Sequence, residues 1–256
     1  MLLGDFRQLS LSVIQRLSYL TQLFPHTFNE KLCDQLLQHL GCWLEVAVRT
    51  PHRGPNATEV RQCAAIIAIF HQIPAAGPAF VKPLVTLVLR HEQQLMVEAS
   101  SPFQAPLRKF LERHPATALE LLLAEPQVQD EQLNRFLEHL LRDGATFRAA
   151  LQRNTGCIDR LAQLLDEGGP ELQRLAVRIV SAVARREPQF LAERPALVAR
   201  LRAVWVSDSF QTAGAAGLAQ WREPKLLCRC LLGVVQQRPH EIELLFQVSR
   251  RLLMVP

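Results

Sequence analysis

Aromatic residues are scarce in this chain, at 6% with a single Tyr, and Gly numbers only 11 in 256 residues. The β-branched and aromatic side chains that fill pleated strands are therefore thinly supplied, which disfavours a sheet protein. Long apolar runs are also missing. The best, Leu226 to Val235, is interrupted by Arg229 and falls short of the ~18 residues that a membrane span needs. The opening residues Met1 to Arg7 lack the apolar core of a signal peptide. Six Cys are present, none in a CxxC pair, so a disulfide framework is not expected and a reducing compartment is. These absences predict a soluble chain with no membrane partner.

The signatures of catalysis are missing too. No GxSxG elbow and no HExxH occurs. His91 and Glu92 begin like a zinc helix, but the second His is absent, so they read as a solvated helix end. There is no Walker loop, and Gly168-Gly169-Pro170 reads as a turn between helices. No HRD or DFG marks a kinase. Cys63 and His71 share one helical stretch two turns apart, and His71 reads as a core residue bonded locally rather than as a ligand. Cys228 and Cys230 point roughly 200° apart on a helix and do not converge on an ion. The expectation is a chain that is not an enzyme, with no catalytic, cofactor-binding or metal residues, no cofactor and no small-molecule substrate.

What is plentiful is helix-forming material. The chain is 48% hydrophobic, with Leu and Ala dominant, and its 16 Pro fall mostly between apolar stretches, where they punctuate helices. Leu32, Leu36, Leu40, Trp43, Leu44 and Ala47 recur at three- and four-residue spacing and form one stripe. Thr27 with Glu30, and Asn56 with Glu59, have capping-box spacing. From Cys63 to Phe70 the pattern is apolar all round, as in a helix buried between neighbours. The same reading predicts helices near 10–23, 28–48, 57–73, 78–99, 103–113, 115–124, 130–142, 145–152, 157–166, 171–187, 195–206, 210–220, 224–237 and 240–253, and no strand.

An internal repeat accompanies the helices. Apolar positions at Val60, Cys63, Ala64 and Ile67 recur at Leu172, Leu175, Ala176 and Ile179, and the helix opening at Pro78 recurs at Pro195. A buried helix, a break and a Pro-started partner is the pattern of HEAT-type repeats, whose period is ~40–47 residues. The offsets are not multiples of one period, which predicts an irregular all-α, HEAT-like solenoid of stacked antiparallel helix pairs. Charge adds little, since a net +5 is mild for this length. Arg174, Arg178 and Arg185 do share one helix face, opposite Leu175, Ile179 and Val183. They are the candidate partner-binding residues, suited to an acidic partner or a phosphate backbone, or else a solvated amphipathic face.

Six segments carry a resemblance: Leu23 to Cys33, Glu59 to His71, Glu98 to Phe103, Val204 to Ser207, Trp221 to Leu227 and Ile242 to Gln247. In this order they resemble the HEAT-repeat region of the pseudokinase branch of the phosphatidylinositol-3-kinase-related kinase family, over about residues 17 to 247. Residues 153 to 170 are shorter than the family's loop, Thr212 to Gly217 replaces a more charged stretch, and the chain diverges after Gln247. The resemblance implies one helical-repeat segment over 1–256, part of a far longer chain, with no kinase-like domain. It implies a nuclear scaffold of histone acetyltransferase complexes, SAGA among them, whose partners are transcription activators and acetyltransferase-complex subunits rather than nucleic acid. No functional residue is carried over from it. The alternative is a free-standing helical-repeat adaptor unrelated to chromatin. The apolar Leu252 to Val255 argues against it, because a finished stack ends on polar capping helices.

Overall fold

The computed structural model describes residues 10–50, 57–95, 101–125, 127–206 and 222–237, and among them every regular element is a helix. The helices expected at 210–220 and 240–253 lie outside the described residues. The chain divides into two compact units, residues 1–118 and 119–256.

The first unit contains α1 (Leu11–Leu23), α2 (Glu30–Arg49), α3 (Thr58–Gln72), α4 (Val81–Leu95) and α5 (Gln104–Leu111). They form two rows. α3 packs against α1 on one side and α5 on the other, while α2 packs against α4 and across onto α3. The apolar run of α3 explains its central place. Cys63, Ile66, Ile67, Ile69 and Phe70 are fully buried, and the small Ala64, Ala65 and Ala68, half-buried, let neighbouring helices approach. Each of those large side chains contributes about 1.5–3 kcal/mol by leaving water. The Phe70 ring lies 5.9 Å from Phe80 and 6.0 Å, edge-on, from Phe110. α1 buries Ile14, Leu17 and Thr21 against this row and leaves Tyr19, Leu20 and Leu23 exposed on its far face, with Phe24 exposed just beyond.

The cap of α2 differs from the expected capping box. Pro25–Thr27 forms a single 3-10 turn, and the Thr27 hydroxyl donates to the Phe24 carbonyl within it. Asn29 is the N-cap instead, its Oδ1 accepting from Leu32 N–H at 3.2 Å. Asn29→Ala should therefore cost about 1 kcal/mol in chemical denaturation. Thr27→Ala should cost far less, and the reverse order would restore the capping box. α3 begins after Ala57 with no side-chain cap, and Asn56 lies outside the described residues.

α6 (Pro115–Leu123) carries the division between the units. The second unit contains α7 (Glu131–Asp143), α8 (Ala145–Arg153), α9 (Thr155–Asp166), α10 (Pro170–Ala184), α11 (Gln189–Ala192), α12 (Pro195–Val206) and α13 (Arg222–Gln237). Again there are two rows: α10 packs between α7 and α13, and α9 packs against α12. The turn at Gly168 closes so tightly that a Cβ there would stand 2.2 Å from the Leu164 carbonyl oxygen, so only glycine fits. The helix expected over 171–187 stops at Ala184, because Pro188, four residues on, has no N–H to donate to the Ala184 carbonyl. A four-residue helix, α11, follows, too short to leave a periodic signal.

Candidate functional site

The polar links between helices carry the repeat that the apolar pattern blurs. Most of them join residues 34 to 43 apart in sequence, at or just below the length of a helix-pair repeat. Where α1 meets α3 the separation reaches 54 residues, and where α10 meets α13 it is 49.

Arginine makes the strongest of these links. The last carbonyls of a helix lack partners and carry partial negative charge, so a guanidinium suits them. Arg113 donates from Nη1 to the carbonyls of Phe70, His71 and Ile73 at 3.1, 3.0 and 2.9 Å, and from Nη2 to Pro74 at 3.2 Å, closing the end of α3. His114 beside it donates from Nε2 to Ala76 at 3.1 Å. Arg148, buried, closes α7 through the Leu141 and Arg142 carbonyls at 2.9 and 3.1 Å. Arg160 closes α6 through Leu123 at 3.2 Å and pairs with Glu125 at 2.8 Å. Arg194 closes α8 through Gln152 at 2.9 Å and stacks over the Phe190 ring.

The same wiring takes up much of the basic face. Arg174 pairs with Glu171 at 2.8 Å on its own helix, and Arg178 pairs with Glu138 of α7 at 2.6 Å. Arg200 pairs with Asp166 at 2.6 Å. Arg185, the third member of the expected face, stands apart. It caps the end of α10, is exposed, and makes no side-chain hydrogen bond or ion pair among the described residues.

Arg185 borders a crease of about 230 Å³ between α10, α11 and α13, with Leu191 and Val234 on its floor and Arg229 across from it. Ser181 and Cys230 meet at its base, Oγ to Sγ 3.1 Å. Arg229 and Gly233, which are not among the residues expected from the sequence, also belong to this surface. The signal was present, since Arg229 is the charge that breaks the apolar run of α13.

Two expectations about histidine are corrected. His91 and Glu92 are not a solvated helix end but are buried, with the His91 Nδ1 donating to the Leu87 carbonyl at 2.8 Å. α4 continues to the buried Leu95, so both residues lie inside its packed length. His71 is exposed while Cys63 is fully buried, because eight residues rotate a helix about 80° past two turns. No three His, Cys, Asp or Glu side chains gather to hold a metal among the described residues, and no helix there is long and apolar enough to cross a membrane.

The buried thiols are unreactive by the same physics. Burial pushes Cys33 and Cys157 up from the ordinary 9.0 to about 11, and pushes Cys63 up as well. Folding thus favours the neutral thiol. That stability is fully present below pH 9.0 and is lost as pH rises through about 11. Denaturation midpoints should accordingly fall between pH 9 and 11, and a Cys33→Ala/Cys63→Ala/Cys157→Ala variant should show a shallower fall.

Comparison with known proteins decides what such a stack belongs to. Residues 1–254 match the Tra1 HEAT repeat ring region. The chain belongs to the Tra1 HEAT repeat ring family. It is 40% identical to the transformation/transcription domain-associated protein of Danio rerio and 38% identical to that of Homo sapiens, each over 98% of this chain. It covers 7% and 8% of the length of those two proteins. Over 43% of the chain it is 31% identical to the SAGA complex/NuA4 acetyltransferase complex subunit TRA1 of Saccharomyces cerevisiae. The two-row helix stacks of this chain, most of whose polar links span 34 to 43 residues, accord with a HEAT repeat region.

Proposed function

We propose that this chain is a non-catalytic scaffold segment of a transcription coactivator, acting in the nucleus among subunits of histone acetyltransferase complexes. The single observation behind this is the match of residues 1–254 to the Tra1 ring region, reinforced by a relative named as a SAGA/NuA4 subunit. The architecture suits the role. A solenoid offers helix ridges and grooves along its length, and each groove can take a partner without any chemistry. Arginines that close helix ends keep the surface in register, so its binding grooves are preformed.

The test is co-purification. The tagged full chain, expressed in its own cells and recovered from nuclear extract, should bring histone acetyltransferase activity and the known catalytic subunits with it. Purified alone it should acetylate nothing. Acetyltransferase activity in the isolated chain, or a nuclear pool free of those subunits, would overturn the reading.

A further inference from the structure

We infer that the crease between α10, α11 and α13 accepts a phosphorylated side chain of a partner protein, with a neighbouring apolar residue seated on its floor. The inference rests on the reading of the chain as a partner-binding scaffold.

Charge selects the occupant. Arg185 and Arg229 border the crease from two helices, both exposed, neither with a side-chain hydrogen bond or ion pair among the described residues. Among the described residues no acidic side chain lines it. A phosphomonoester carries about −1.5 to −2 charge at neutral pH and offers three acceptor oxygens, so it balances two guanidiniums. A carboxylate balances one. The planar fork of arginine also matches phosphate geometry. The exposed Arg186 next to Arg185 adds a further cation, and the two guanidiniums outweigh the partial negative charge of about half a unit at the end of α10.

The floor selects a protein rather than a nucleic acid. Leu191 and Val234 are buried apolar residues. Gly233 has nothing within 4 Å of the place a Cβ would occupy, which leaves room for an apolar side chain. A duplex backbone needs a row of cations to neutralise successive phosphates. Here the row stops, because Arg174 and Arg178 are committed to Glu171 and Glu138.

The experiment titrates the full chain with phenyl phosphate, a dianion on an apolar ring, and follows backbone amides by NMR. Saturable shifts are expected in α10, α11 and α13. Benzoate, with the same apolar ring but a planar carboxylate of one charge, should bind about fivefold more weakly. The exposed double variant Arg185→Glu/Arg229→Glu should weaken binding about tenfold or more. Gly233→Leu, which fills the crease and favours helix, should weaken it about fivefold with an unchanged helical spectrum. Equal binding of benzoate, or binding unmoved by either variant, overturns the inference. So does a short DNA duplex that displaces phenyl phosphate from these amides and loses its own binding in the double variant. If the chain still brings acetyltransferase subunits from nuclear extract while phenyl phosphate shifts nothing, this inference fails alone. If the phosphate binds but those subunits are absent, the scaffold reading fails and the crease stands.

Discussion

Arg113→Ala is expected to lower the unfolding free energy of the chain's first unit by about 2–4 kcal/mol. The guanidinium reaches four carbonyls at 2.9 to 3.2 Å, all from the end of α3 and the turn beyond it. A hydrogen bond from a charged donor is worth about 1.5–3 kcal/mol, and the bonds here share one side chain, so their contributions do not add in full. Burial already works against the charge, holding the Arg113 pKa below its ordinary value. The net gain is therefore smaller than the count of bonds suggests. Removing the side chain also leaves the carbonyls of a packed helix end unsatisfied. Arg113→Lys separates charge from geometry: an ammonium keeps the charge but lacks the planar fork, so it should recover less than half of the loss. Urea denaturation of the three proteins, with amide exchange followed in α3, reads both effects. Full recovery by Lys would mean that charge at the helix end, not the fork, closes it.

Phe70→Ala should cost about 3–5 kcal/mol. Its ring is fully buried, contacts Phe80 and Phe110, and belongs to the helix that packs against α1, α2 and α5 at once. The expected loss is the transfer of a large side chain plus the cavity it leaves between two aromatic rings. Phe70→Leu should cost less than half as much, because it keeps most of the apolar volume. The exposed Phe24 provides the contrast, since Phe24→Ala should shift stability by less than about 0.5 kcal/mol. Thermal melts of the three variants check the ranking. A Phe70→Ala melt close to the parent would mean that α3 is not the centre of this unit.

Most of the helices were legible because proline and the apolar stripes mark their ends and faces independently. The stripe over residues 28–48 fixes α2 and its buried Leu32, Leu36, Leu40 and Leu44 with no knowledge of the neighbours. Where two signals compete, the local pattern misleads. Thr27 has the right spacing to Glu30, but Pro25 starts a 3-10 turn that consumes Thr27, and the cap passes to Asn29. The buried pair His91 and Glu92 was hidden by its polarity, although Leu84, Val88 and Leu95 place position 91 on the buried stripe. The candidate site was the least legible. That Arg174 and Arg178 share a face is visible in the sequence. That Glu138, 40 residues away, occupies Arg178 is not, because helix periodicity says nothing about which turn of the next helix lies opposite. The partners of Arg113 are hidden for the same reason, lying 39 to 43 residues back. The crease depends on α13 meeting the end of α10, a contact over 49 residues that local pattern cannot give.

The proposed scaffold role is tested most directly by the proteins with which the chain travels. The decisive measurement is sedimentation of nuclear extract from cells carrying an epitope tag on the native chain, with each fraction immunoblotted and assayed for histone acetyltransferase activity. The scaffold role requires that the tag sediment with a large complex and with the activity, and that both leave the extract together when the tag is depleted. A tag that sediments as a small free protein, with the activity undiminished by its depletion, would contradict it.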